Sequence, residues 1–312
     1  MLSKSIEQIN LFSMDKYIND LIHLYDNKKL PNKIILSGES GIGKSVLAFH
    51  LINYIFSKNE DYTYDKNNFR INESNKSFNL VKNNSHPNFY FSYIDEDKKS
   101  INVNEIRDII SFCNKSSFNN SEKIILIDKI EYLNKNASNA LLKILEEPNE
   151  KVIFILIKDS AKFLLKTINS RCINFNINLN HTQKEFILNN ILENNFYNNL
   201  NEDFKNFYFS PGDFVNLYNL FVNNNIEYQF TIEQLLDYII KNNLYKKDPF
   251  VKNNMNLFFE LYFSKKFFMY KNNISAFNNY KVFTKELNDI YKYNLDLESV
   301  LIRFEKICIN EK

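Results

Sequence analysis

The chain has 312 residues, with 39 Lys plus Arg against 37 Asp plus Glu, 29 Phe and 19 Tyr, and only 4 Gly and 3 Cys. A formal net charge of +2 argues against a protein that coats nucleic acid by bulk charge, and leaves room for a local basic patch. Cys113, Cys172 and Cys308 are odd in number and far apart, which argues against a disulfide framework or a zinc site; with no signal-like or membrane-length apolar run, a cytoplasmic protein of two or three domains is expected.

Residues 1–30 read as helical segments, with Leu21, Ile22, Leu24 and Tyr25 supplying an apolar face; His23 has no second ligand type nearby and reads as a packing or surface residue. Lys33-Ile34-Ile35-Leu36-Ser37 is a strand. It runs into Gly38-Glu39-Ser40-Gly41-Ile42-Gly43-Lys44-Ser45, and then into a helical apolar pattern from Val46. Strand, glycine loop and helix are the setting that the pattern G-x-x-x-x-G-K-[ST] needs in order to hold a phosphate. Gly38, Gly41 and Gly43 can take conformations that turn successive N–H groups inward on an anion, and the helix N-terminus adds positive partial charge. Lys44 would reach the outer phosphates and Ser45 would ligate Mg²⁺. Three of the four glycines sit in this one loop, which an ordinary turn does not explain.

Residues 58–88 are polar and without period, and are expected to be an exposed insertion. Phe89 to Ile94 is an aromatic, β-prone run. Residues 122–128 form a continuous apolar strand ending in Asp128, residues 136–146 a helix stopped before Pro148, residues 152–157 a second buried strand and residues 173–177 a shorter one. Strands alternating with helices imply an α/β parallel sheet covered on both faces. Beyond about residue 178 the periodicity is helical, broken at Ser210-Pro211-Gly212, at Phe230-Thr231 and at Asp248-Pro249.

In a phosphate-loop protein an acid closing a neighbouring buried strand helps to hold Mg²⁺, and Asp128 fits that place, although strand-closing aspartates also serve as plain turn residues. Many such ATPases carry a glutamate directly after this acid to polarise the attacking water. Here the next residue is Lys129, which cannot act as a base, and nothing in the spacing brings Glu131 to the same spot. Nucleotide binding without evident hydrolysis is the reading.

Several segments carry a family resemblance. Asn134-Lys135-Asn136-Ala137-Ser138-Asn139-Ala140-Leu141-Leu142-Lys143-Ile144-Leu145-Glu146-Glu147-Pro148 resembles a segment of bacterial clamp-loader subunits, which are AAA+ proteins. Ser170-Arg171-Cys172 is similar to their serine-arginine-cysteine motif. Ser85-His86-Pro87 and Ile101-x-Val103-x-x-Ile106-Arg107 are similar to the same family. The resemblance implies an AAA+ domain over residues 1–178, a helical lid over 179–229 and an all-helical collar over 230–312. It implies ATP or ADP with Mg at Gly38, Gly41, Gly43, Lys44, Ser45 and Asp128, and no zinc. Implied partners are the motor (gamma/tau) and delta subunits, with the sliding clamp and primed DNA reached through the complex, and no membrane.

Lys129, the absence of cysteines from 58–88 and the Phe209-Ser210-Pro211-Gly212-Asp213 turn resemble the delta prime, or stator, type more than the motor type. That type implies that Arg171 acts in trans, on the γ-phosphate in a neighbouring motor subunit. The plain alternative for Arg171 is a carboxylate partner inside its own domain. The intact loop keeps open a motor ATPase, and an unrelated phosphate-loop ATPase or switch is a third reading. Cys172, like Cys113 and Cys308, reads as a packing residue. Leu257, Phe258, Leu261, Tyr262 and Phe268 would belong to the collar, and most such aromatics must fill an internal core.

Overall fold

The computed structural model describes residues 5–94, 100–146, 151–192, 195–269, 274–293 and 295–309. Glu147 and Pro148, the expected stop of the helix motif, lie outside them. Five strands, β1 (Lys33–Gly38), β2 (Phe89–Ser92), β3 (Lys123–Ile127), β4 (Val152–Asp159) and β5 (Ile173–Asn176), form one sheet in the order β2-β3-β4-β1-β5. Every pairing is parallel, as the expected α/β class requires. The strands read as unbroken apolar runs because both faces are covered. Ile34, Leu36, Ile124, Leu126 and Ile155 pack on one side with Ile18 and Leu21 of α1 (Asp15–Asp26) and Leu47 and Leu51 of α2 (Lys44–Ser57). The alternate residues Ile35, Ile125, Ile127, Phe154 and Leu156 pack on the other side.

The segment 58–88 is not the exposed insertion that its composition suggests. It carries α3 (Lys76–Lys82), and Tyr64, Ile71, Phe78 and Val81 are buried in the same core as α2. The sequence conceals this because the segment docks largely through satisfied polar groups. Asn75 caps α3 by accepting from Phe78 N. Asn53 Nδ2 donates to Asn75 Oδ1 (3.1 Å), Asn75 Nδ2 to Glu60 Oε2 (3.0 Å) and Ser77 Oγ to Glu60 Oε1 (2.8 Å). His86 stacks on Phe56 with ring centroids 4.0 Å apart. Asn88 N donates to His86 Nδ1, which leaves the ring proton on Nε2, facing Ser77 Oγ at 3.3 Å.

The far face of the sheet carries α4 (Val103–Asn114) and α5 (Lys135–Glu146), whose buried residues join the cluster around Ile125 and Phe154. A capping box between Asn102 and Glu105 starts α4. The buried Lys123 closes its other end, donating from Nζ to the carbonyls of Phe112 (2.6 Å), Cys113 (3.4 Å) and Lys115.

The chain divides into two compact units. The first comprises Met1–Asn190 together with Ser210–Gly212, and the second Ile191–Phe209 and Asp213–Lys312. In the first, Lys184 pairs with Glu39 (2.8 Å) and Gln183 Nε2 donates to Ser13 O (3.1 Å). The described part of the second unit is helical. Its helix Ile232–Lys241 begins with a capping box of Thr231 and Gln234, Pro249–Asn253 begins at the Asp248 cap, and a further helix begins at Pro211, so all three expected breaks are helix starts. Phe258, Phe259, Phe283 and Phe304 are fully buried in this unit, with Phe259 stacked on Phe304. Among the described residues no helix is long and apolar enough to cross a membrane.

Two histidines make the first unit acid-sensitive. His50 is fully buried, with Nδ1 3.0 Å from Tyr64 Oη and Nε2 3.1 Å from Gln8 O; burial pulls its pKa down to about 4, and burial does the same for His86. In the unfolded chain these rings take a proton near 6.5, so between about pH 6.5 and 4 the unfolded state holds more protons and stability falls as pH falls. We expect the urea midpoint to drop through this window, with His50 contributing at most ~1.4 kcal/mol per pH unit. His50→Gln should be less stable at pH 7 but show a shallower decline; an unchanged slope would place the acid sensitivity elsewhere.

Candidate functional site

β1 ends at Gly38 and α2 begins at Lys44, so the loop between them sits at the carboxyl end of a central strand. Gly43 is the N-cap of α2 with φ +97°, and no side chain caps this helix. Its first-turn N–H groups, which have no partner within the helix, are therefore placed to meet an anion. Gly41 also has positive φ, +77°. Packing explains part of the glycine signal as well. A Cβ on Gly38 would lie 2.4 Å from Ile177 O, and one on Gly41 2.2 Å from Ser210 Oγ. Gly212 N donates to Gly41 O (2.9 Å), and a Cβ on Gly212 would lie 2.8 Å from Gly41 Cα. Ser210 and the first two residues of the helix Pro211–Asn223 are thus laid against this loop, Gly212 backbone to backbone with Gly41.

Lys44 is 6% exposed, and its Nζ donates to Gly38 O (2.9 Å) and Glu39 O (2.6 Å). Burial lowers its pKa, while Asp159, Asp128, Glu131 and Glu39 act together to keep it charged. Ser45 Oγ donates to Asp128 Oδ2 (3.3 Å), which brings the two expected Mg²⁺ supports together. Burial raises the Asp128 carboxyl, opposed by Lys129, Ser45 and Lys44. Gly38, Gly41, Gly43, Lys44, Ser45 and Asp128 therefore converge on one place.

Two residues join them that sequence reasoning did not place. Lys129 takes a left-handed conformation (φ +56°), leaves its side chain exposed and starts a single 3₁₀ turn over Ile130–Tyr132. That reversal carries Glu131 back, where its Oε2 accepts from Asp159 N at 3.4 Å. Burial raises the Glu131 carboxyl, and the nearby Asp159 and Asp128 raise it further. Asp159 closes β4 and stands in register with Gly38 of β1. Its only signal in the sequence is the acid at the end of an apolar run, which becomes informative once β4 is known to neighbour β1.

The arrangement has the donor set that a nucleoside phosphate with Mg²⁺ requires: uncapped helix N–H groups, a buried ammonium, and a hydroxyl beside a carboxylate. Among the described residues no group of three or more His, Cys, Asp or Glu is disposed to hold a metal by protein ligands alone.

Arg171 is engaged elsewhere. It follows the short helix Lys166–Asn169, donates from Nη1 to Thr167 O (2.9 Å) and pairs through Nη2 with Glu146 Oε1 (2.6 Å). The two side chains are 35% and 54% exposed. An intradomain carboxylate partner, the plain alternative, is thus present, in a pair that faces solvent. Cys172 beside it is buried, and burial pushes its thiol up to about 11, so it is a packing residue rather than a nucleophile.

The family described as DNA polymerase III, delta subunit, matches residues 14–181, more than half of the chain. The chain is 32% identical over 139 residues to DNA polymerase III subunit delta' of Pseudomonas aeruginosa, covering 45% of this chain and 40% of that one. It is 39% identical over 77 residues to the gamma subunit of Buchnera aphidicola from Schizaphis graminum, covering 25% and 21%. A solved gamma-subunit-related protein of Thermotoga maritima superposes with a TM-score of 0.49 at 16% identity, covering 93% of this chain and 98% of that one. The matched stretches span less than half the length of these two curated relatives. The family match runs from the start of α1 through the phosphate loop, all five strands and the Ser170-Arg171-Cys172 segment, and it shows that this chain belongs to the DNA polymerase III delta-subunit family.

Proposed function

We propose that the chain is the delta prime, or stator, subunit of a bacterial DNA polymerase III clamp loader, acting in the ATP-dependent loading of the sliding clamp during replication. The observation that carries this reading is a complete phosphate loop joined to an acid, Asp128, whose successor is the exposed cation Lys129. Such a site can hold ATP or ADP with Mg²⁺ through Lys44, Ser45 and Asp128, yet it lacks a base in the usual place. Bound nucleotide would supply the phosphate oxygens that Lys44 and the uncapped N–H groups of α2 are disposed to meet.

The contribution to catalysis is then made by Arg171, which reaches the γ-phosphate in a neighbouring motor subunit. A guanidinium suits this role because it stays charged and can pair with two phosphate oxygens at once. Its present partner does not bar it, since exposed ion pairs hold by no more than about 1 kcal/mol. Motor (gamma/tau) and delta subunits are the direct partners, with clamp and primed DNA reached through them, in the cytoplasm.

We read residues 1–178 as the AAA+ domain, 179–229 as the lid and 230–312 as the collar. Within the proposed collar, Phe258, Leu261 and Tyr262 are buried and serve the internal core, whereas Phe268, Ile274, Phe277 and Val282 are exposed large apolar residues that suit a subunit interface. The second reading is a gamma-type motor, favoured by the intact loop and by the approach of Glu131 to the site.

Reconstitution with motor and delta subunits separates the two. Arg171→Ala should leave ring assembly intact and slow hydrolysis at the neighbouring site by about 10³-fold or more, read as loss of DNA-stimulated ATPase. Lys44→Ala should remove nucleotide-dependent thermal stabilisation of the isolated chain while costing the assembled complex less turnover than Arg171→Ala. A larger loss from Lys44→Ala, or brisk hydrolysis by the isolated chain, would make it a motor.

A further inference from the structure

We infer that Glu146 is the positioning residue for Arg171: it fixes the guanidinium before the neighbouring nucleotide site forms. The inference rests on the trans-acting reading of Arg171 and adds a residue to it. Arg171 is held at two points, Nη2 on Glu146 Oε1 at 2.6 Å and Nη1 on Thr167 O at 2.9 Å. Thr167 O is itself shared with Ser170 Oγ (3.2 Å), and Arg171 N donates to Ile168 O (3.1 Å), so backbone and side chain are tied to the same short helix. A guanidinium carries five N–H donors. Two are engaged here, and three remain for a phosphate.

The location of Glu146 supports the assignment. It is the last described residue of α5. Its side chain is 54% exposed, so it does not serve the core. Among the described residues it pairs with Arg171, 25 residues away in sequence. An arginine free in solution would lose much of its rotamer freedom on reaching a phosphate. Holding it at two points in advance removes part of that cost, which appears in turnover rather than in nucleotide affinity, because the ground-state triphosphate is bound mainly by the motor's own loop.

The test is a double-mutant cycle in the reconstituted complex of this chain with motor and delta subunits. Glu146→Gln keeps the size of the side chain and removes its charge. The expected result is a loss of about two- to fivefold in the kcat of the DNA-stimulated ATPase, with KM for ATP and ring assembly unchanged, and with Glu146→Asp losing less than Glu146→Gln. In an Arg171→Ala background, Glu146→Gln should change nothing further. A normal rate for Glu146→Gln, when Arg171→Ala is impaired, overturns the positioning role and leaves the trans-acting arginine standing. A faster rate would show that Glu146 competes with phosphate for the arginine, and overturns it as well. An effect that persists without Arg171 would place the action of Glu146 elsewhere. If Arg171→Ala itself has no effect on turnover, the trans-acting reading fails, and the positioning role fails with it.

Discussion

The parallel pairing of β1 with β4 is the constraint on which the site depends. It sets Gly38 in register with Asp159 and Ser37 with Lys158, so the phosphate loop leaves the sheet beside the end of the strand that supplies a second acid. β3 lies on the other side of β4, one strand further out, and its end delivers Asp128 to Ser45. A shift of one residue in either register would turn every inward side chain of that strand to the opposite face. The two faces of the sheet have different packing partners, Ile34 and Leu36 against Ile35. The apolar core therefore fixes the relative positions of charged groups that would not find one another by their own attraction.

Lys44 shows what this framework has to accommodate. Its ammonium is buried and meets two backbone carbonyls, with Asp128, Glu131, Asp159 and Glu39 close enough to favour its charge. A buried charge is tolerable only when paired and hydrogen-bonded. The same interactions leave it ready for an incoming phosphate, which can take over the role of the loop carbonyls. Burial raises the carboxyls of Asp128 and Glu131, and for Asp128 the neighbouring Lys129, Ser45 and Lys44 oppose it.

Legibility in the sequence followed how local each feature is. The loop, Asp128, the buried strands and the breaks at Thr231 and Asp248 are each written in a few adjacent residues, and the structure has them where the residues imply. The docking of 58–88 was not legible, because Asn53, Glu60, Asn75 and Ser77 look like surface residues until their partners are known. Glu131 was hidden by a left-handed Lys129, a conformation that a lysine does not announce. Gly41 was legible as a glycine that matters, but only half of the reason was: its positive φ already disfavours a Cβ, and the approach of Ser210 Oγ, visible only in three dimensions, leaves no room for one.

The two halves of the molecule's chemistry are built to different standards of permanence. Lys44 is enclosed and bonded at two carbonyls, whereas the pair of Arg171 and Glu146 lies in solvent, where the Coulomb gain is small and readily exchanged. On the proposed trans-acting reading, that difference suits an arginine held by Glu146 and Thr167 while its remaining donors stay open to a second partner. A buried pair at Arg171 would be too costly to break, since separating it would strand a charge. A free side chain would be too mobile to deliver. An exposed, two-point hold lies between these extremes, ordering the guanidinium while leaving three of its N–H donors open.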